Sequence, residues 1–282
     1  MLKIDVVRSV AALRAAIRPH RQAGSRIGLV PTMGALHQGH LELVKAARRH
    51  AEFVVATIFI NPLQFNPSED LDAYPRDEAT DLNLLAATGA DLVFAPNVAE
   101  MYPKAFSTEV KVSGLTQYLD GPARPGHFEG VATVVSKLLN QAQPDIACFG
   151  EKDFQQLQVI RRLTRDLDLP VEIIGVPTVR EEDGLAMSSR NRYLSEADRI
   201  TAAFLPAVLR AAVEELQGGS PAAPILEKAR AALKASGFNP IDYVELCDVE
   251  TLQPLPAARE GSRLLAAAHL GRTRLIDNWP VL

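Results

Sequence analysis

Residues 53 to 60 read Phe-Val-Val-Ala-Thr-Ile-Phe-Ile. An unbroken apolar run rich in β-branched residues predicts a strand buried on both faces. Such strands belong to parallel sheets covered by helices. The rest of the N-terminal part fits that constraint. Further strands are expected at 26–33, 91–95, 146–149 and 171–176, and helices at 41–49, 77–88, 130–140 and 153–167. In the last helix the apolar positions 154, 157, 160, 163 and 167 form one stripe. Gly89 is well placed to end the helix before it. Strands alternating with helices in this way predict a parallel sheet with helices on its faces.

The pattern changes after about residue 178. Residues 177–192 are polar. Residues 195–217 form a long Ala- and Leu-rich helical stretch, in which Pro206 is expected to cause a kink or break. Gly218-Gly219-Ser220-Pro221 reads as a turn, 224–236 as a helix, and 241–246, 263–270 and 273–276 as strands. The expected fold is therefore α/β. A Rossmann-like parallel sheet with helices on both faces occupies residues 1–178, and a smaller C-terminal α+β domain occupies 179–282.

Composition narrows the choice of partners. The 282 residues are 47% hydrophobic and 23% charged, with a formal net charge of −4. This surface does not suit a phosphate backbone, so no nucleic acid is expected. No charge-free apolar stretch reaches the ~18 residues of a membrane span, so no membrane association is expected. Residues 1–10 lack the basic, apolar and small-residue succession of a leader, which points to the cytoplasm. The two cysteines, Cys148 and Cys247, lie far apart in apolar surroundings. They read as buried thiols, not as a disulfide framework or a zinc pair.

The chemistry concentrates where strands end. Pro31-Thr-Met-Gly-Ala-Leu-His37-Gln-Gly39-His40 joins a predicted strand to a predicted helix. In such a sheet, phosphates bind at the carboxyl end of a strand, facing a helix N-terminus. Two histidines three apart can face one ligand there, donate to a polyphosphate and stabilise a leaving pyrophosphate. Plain helix-start histidines or a metal pair are the alternatives, although no third ligand lies nearby. Asn61-Pro-Leu-Gln64-Phe65 follows the buried strand, and the Gln64 amide suits a hydroxy acid. Asp81, after Tyr74-Pro-Arg76, is a candidate contact to magnesium or its waters, with a solvated helix carboxylate as the alternative. Arg124-Pro-Gly126-His127-Phe128-Glu-Gly130 forms a turn, a site wall or a subunit contact. Gly150-Glu151-Lys152-Asp153-Phe154-Gln155-Gln156 places Lys152 beside a helix start, aimed at phosphate, with Gln156 as a substrate contact. Asp153 serves alternatively as that helix's N-cap. Met187-Ser188-Ser189-Arg190-Asn191 carries hydroxyls and a guanidinium suited to a triphosphate clamp, or is a serine-rich linker.

Taken in order, H-x-G-H and M-S-S-R resemble the paired signatures of the nucleotidylyltransferase superfamily. The second departs from the lysine-rich form of the class I aminoacyl-tRNA synthetases, so Arg190 and Lys152 must supply the positive charge. The full motif set, with the tail Arg274-Leu-Ile-Asp-Asn278, is similar to the pantothenate synthetase family across the whole chain. That resemblance implies a ligase that joins pantoate to β-alanine through a pantoyl-adenylate. It implies ATP contacts from Met33, Gly34, Ala35, Leu36, His37, Gln38, Gly39 and His40, from Gly150, Glu151, Lys152 and Asp153, and from Val179, Met187, Ser188, Ser189 and Arg190. His40, His37, Lys152 and Arg190 would act in catalysis. Gln64 would hold pantoate and then β-alanine, and Gln156 would hold pantoate. Magnesium is expected with ATP, and a homodimer as the assembly. Rival readings are a nucleotidylyltransferase that stops at nucleotide transfer and a non-catalytic nucleotide-binding regulator. A tRNA synthetase is disfavoured by length, charge and the absence of a basic anticodon-binding tail.

Overall fold

The computed structural model describes residues 4–66, 71 and 73–282. Residues 1–3, part of the N-terminal stretch read as lacking a leader, lie outside the described residues. The chain forms two compact units. The first comprises Met1–Val112, Arg124–Glu151 and Val159–Pro177; the second comprises Ser113–Ala123, Lys152–Gln158 and Thr178–Leu282.

The first unit is built on a parallel sheet of β1 (Asp5–Val7), β2 (Ile27–Val30), β3 (Phe53–Thr57), β4 (Leu92–Phe94), β5 (Ile146–Gly150) and β6 (Glu172–Val176). The spatial order is β1-β4-β3-β2-β5-β6. Its helices are α1 (Val10–Gln22), α2 (Gln38–His50), α3 (Glu78–Thr88), α4 (Val98–Met101), and, after α5 (Asp120–Ala123) of the second unit, α6 (His127–Ala142). α7 (Phe154–Asp166) gives its first residues to the second unit. All residues of β2 and β3 are buried, as the apolar run predicts. The strand stops at Thr57, short of the expected Ile60, because Thr57 turns to bond the loop after β2. The Thr32 hydroxyl donates to the Thr57 carbonyl at 2.5 Å, and Thr32 N–H donates to the Thr57 hydroxyl at 3.2 Å. Gly89 takes the left-handed C-cap of α3, as expected. β1 and α1 left little sequence signal. β1 has three residues, and α1 buries only Leu13 and Ile17 and carries Pro19 in its last turns.

β2 and β5 are neighbours, although two strands and their crossovers separate them in the chain. From β2 the order runs outward one way to β3 and β4; from β5 it runs the other way to β6. In open α/β sheets ligands bind at such a reversal, at the carboxyl ends of the flanking strands, here β2 and β5.

The second unit pairs β7 (Ile241–Asp248), β8 (Ser262–Leu270) and β9 (Thr273–Pro280) in an antiparallel sheet. Helices α9 (Phe204–Gln217) and α10 (Ala222–Ala235) pack leucines and alanines against it, with Leu205, Leu209, Leu216, Leu233, Leu246 and Leu264 buried. The single helix expected over 195–217 is instead α8 (Glu196–Ala202) and α9, parted at Ala203. Pro206 accounts for the break, since its ring blocks the carbonyl four residues earlier and it offers no N–H.

Candidate active site

In the first unit, the loop after β2 is shaped by one carboxylate. Gly34 and Ala35 both have positive φ, 78° and 51°. A side chain at Gly34 would place its Cβ 2.9 Å from Asp81 Oδ2. That carboxylate is 3% exposed and accepts from Ala35 N–H at 2.9 Å and Leu36 N–H at 2.8 Å. Asp81 was expected on an exposed face as a magnesium contact or a solvated carboxylate. It is buried and holds the loop backbone. Among the described residues no cluster of three or more His, Cys, Asp or Glu side chains is arranged to hold a metal ion.

The loop delivers His37 as the N-cap of α2. Its Nδ1 accepts from Gly39 N–H at 3.1 Å, and Nδ1 of His40 accepts from His37 N–H at 3.3 Å. The two histidines thus form a reciprocal capping box, with ring centroids 4.1 Å apart. This geometry fixes chemistry. A neutral imidazole whose Nδ1 accepts carries its proton on Nε2. Both rings are therefore set as Nε2–H donors at a helix N-terminus, the arrangement that suits an oxyanion.

Gln64 ends a short 3-10 turn, Pro62–Gln64, after β3. Its Oε1 accepts from Asn61 Nδ2 at 3.0 Å, and its Nε2 lies 3.0 Å from the Met33 sulfur. A thioether is a weak acceptor, so an oxygen-bearing ligand would compete well for that amide. Asn61 is 1% exposed and fully engaged: it donates to Gly130 O at 3.1 Å and accepts from the Tyr102 hydroxyl at 2.7 Å. Burial pushes the Tyr102 phenol well above its usual range, so it remains a donor. The Arg124–Gly130 loop, open in the sequence between turn, site wall and subunit contact, supports Gln64 from below. His127 Nδ1 lies 2.8 Å from the Gln64 carbonyl. A Cβ at Gly130 would sit 2.2 Å from Leu63 O, so only glycine lets α6 approach this turn.

β5 ends at Gly150, and the chain continues as a 3-10 turn, Glu151–Asp153. In the second unit, Lys152 lies in that turn, directly before α7, with Nζ 3.5 Å from Asp153 Oδ1. The next two glutamines divide their duties. Gln155, 4% exposed, accepts from Asp120 N–H and donates to the Leu115 and Tyr118 carbonyls. Gln156 is half-buried. Val179 and Met187 face each other across a small hairpin, with Met187 N–H donating to Val179 O at 3.0 Å. Ser188 then caps a 3-10 turn, Ser189–Tyr193, its hydroxyl accepting from Arg190 N–H at 3.3 Å. Ser189 is buried and Arg190 half-buried. The residues that fix these segments, Asp81, His127, Asp277 and Asn278, were missed as site supports. Asp277 and Asn278 were visible only as part of the tail motif, and His127 only as part of the Arg124–Gly130 motif.

A six-stranded parallel sheet with a reversal of strand order, and donor histidines capping the helix at that reversal, defines an α/β nucleotide-binding enzyme. The comparisons with known proteins are specific. The sequence profile described as Pantoate-beta-alanine ligase matches residues 5–280. A pantothenate synthetase of Caulobacter vibrioides is 56% identical over 279 residues, covering 98% of each chain. The crystal structure of pantothenate synthetase from Thermus thermophilus superposes with a TM-score of 0.93 at 51% identity, over 99% of each chain. The pantoate-beta-alanine ligase of Francisella tularensis, solved with beta-gamma ATP and beta-alanine, gives 0.83 at 32% identity, over 98% of this chain and 97% of that one. The chain belongs to the pantoate-beta-alanine ligase family.

Proposed function

We propose that this chain joins pantoate to β-alanine at the expense of ATP, giving pantothenate, AMP and pyrophosphate through a pantoyl-adenylate. The observation that carries this reading is the reciprocal histidine cap at the strand-order reversal, which holds two Nε2–H donors at a helix N-terminus.

The pantoate carboxylate attacks the α-phosphorus of ATP and pyrophosphate leaves. Charge builds on the departing oxygens, and fixed donors aimed there lower the barrier. His37 and His40 supply the imidazole donors, Lys152 the ammonium and Arg190 the guanidinium. Met33 to His40, Gly150 to Asp153, Val179 and Met187 to Arg190 hold the nucleotide. Gln64 and Gln156 hold pantoate. The β-alanine amine, received at Gln64, then attacks the acyl carbon and displaces AMP. Holding adenylate and amine together makes that step effectively unimolecular. No covalent enzyme intermediate is required. Magnesium bound to the phosphates would screen their charge. Residues 1–178 are assigned the binding of ATP and pantoate, and residues 179–282 the part of a lid. The assembly is read as a homodimer in the cytoplasm.

The test is AMP release from ATP and magnesium with pantoate, with and without β-alanine. Multiple turnovers only with both substrates, with pantothenate as product, support the reading. No AMP from folded protein that still binds ATP would overturn it.

A further inference from the structure

We propose that Asp277 and Asn278 on β9 are positioning residues that set the spacing between Lys152 and the Val179–Arg190 clamp. The inference rests on the reading above, in which those segments hold ATP.

Adjacent residues on a strand project to opposite faces, so this dipeptide can hold two segments at once. Asp277, 2% exposed, accepts both arms of Arg180 at 2.9 Å each. Arg180 also donates to Gly184 O and lies over the Trp279 ring at 3.9 Å. It therefore ties the hairpin that carries Val179 and Met187 to β9. A forked pair of this kind fixes orientation as well as distance. Asn278, 4% exposed, donates from Nδ2 to the Lys152 carbonyl at 2.9 Å and accepts at Oδ1 from Arg263 Nη1 at 2.6 Å. The Arg263 guanidinium lies 4.0 Å over the ring of Phe154, two residues beyond Lys152. β9 also packs against the turn Ser189–Tyr193. The same strand reaches a third segment through Arg274, which donates to Asp120 Oδ1 at 2.6 Å. The tail Arg274-Leu-Ile-Asp-Asn278 is thus the common anchor of the polar segments of this unit. Asp277 and Asn278 touch no substrate in this scheme. They act through Lys152 and the clamp.

Asn278→Asp is the discriminating variant. It keeps size and the bond to Arg263 and replaces the donor facing the Lys152 carbonyl with a second acceptor. Pantoate-dependent exchange of pyrophosphate into ATP is measured for wild type and variant, with KM for each substrate. Displacing the lysine predicts a KM for ATP raised about tenfold and a kcat lowered roughly a hundredfold, the scale of a ~1 Å misplacement, with KM for pantoate unchanged. A purely structural role lowers only the active fraction and leaves every KM unchanged. That outcome, or kcat and KM within twofold of wild type, overturns the inference. Leu275→Ala, in the buried core of the same strand, is the control for lost stability and is expected to leave every KM unchanged. Where Asn278→Asp does not fold, Asn278→Ser is judged by the same split. Absence of exchange in the wild type would overturn the functional reading itself, and the positioning role with it; exchange in the wild type with unaltered variants would overturn only the positioning role.

Discussion

The loop of Met33–His40 and the segment Val179–Arg190, both proposed to hold ATP, are built by different means. The first is held from within its own neighbourhood. His37 and His40 cap each other's helix start, and one buried carboxylate, 45 residues away in sequence, gathers two loop amides. The second, like the turn of Lys152 in the same unit, is held from a distance. Asp277 grips Arg180 across 97 residues, and Asn278 grips Lys152 across 126. In the first, the side chains proposed to carry the chemistry also carry structure. In the second the two duties fall on different residues. The histidine loop should therefore fail as a whole, whereas the clamp can be loosened by degrees.

Four perturbations sharpen or break this contrast. The largest effect is expected from His40→Ala, which removes both the proposed phosphate donor and the acceptor for His37 N–H. Pyrophosphate exchange should fall about a hundred- to thousandfold; a tenfold loss or less would separate the cap from the chemistry. Asp81→Ala comes next. It leaves two loop amides without their carboxylate, at a cost on the order of 2–4 kcal/mol in urea unfolding, and exchange should fall with it. Unchanged exchange would mean that the positive-φ loop holds its shape unaided.

Arg180→Lys keeps a charge near Asp277 but loses the fork and the stack on Trp279. About 1 kcal/mol of stability should be lost, with KM for ATP raised several-fold and the pantoate KM unchanged. A uniform loss across substrates would argue against the clamp being separable. The smallest effect concerns acid. Arg199 donates to Asp183 and Glu181 in the same hairpin, and its hydrogen bond holds the Asp183 carboxyl below the ordinary value of 3.8. A depressed carboxylate stabilises the fold fully above that ordinary value, and the contribution disappears as pH falls through the lowered one. The stability difference between wild type and Arg199→Met should be constant near neutrality and shrink only below about pH 3.8.

What could be read from the sequence follows the same divide. The buried strand that begins at Phe53, the strand-turn-helix setting of His37 and His40 and the ends of β5 and α3 rest on patterns a few residues long, so residue order alone displays them, although the strand ends at Thr57 and not at the expected Ile60. The half-hidden elements are those whose local pattern is thin. β1 has only three residues, and α1 turns just Leu13 and Ile17 fully inward while carrying Pro19. Asp81 read as a magnesium contact or a solvated carboxylate because one carboxylate on a helix gives no sign of a loop folding onto it. Asp277 and Asn278 were noticed only as part of a motif. A hydrogen bond between residues 126 apart leaves no periodicity to detect. The two cysteines did read correctly as buried thiols, with burial pushing both up to about 12.

The separation between Lys152 and Asn278 also has a meaning in time. A ribosome adding roughly 5–20 residues per second takes on the order of 6–25 s to travel the 126 residues between them. Throughout that interval the nascent chain has its sheet strands from β1 to β5 already made, while the lysine's backbone still lacks the strand that will hold it. The second unit therefore reaches its finished form only when β9 has been synthesised, well after Lys152 and the hairpin of Arg180 that this strand holds.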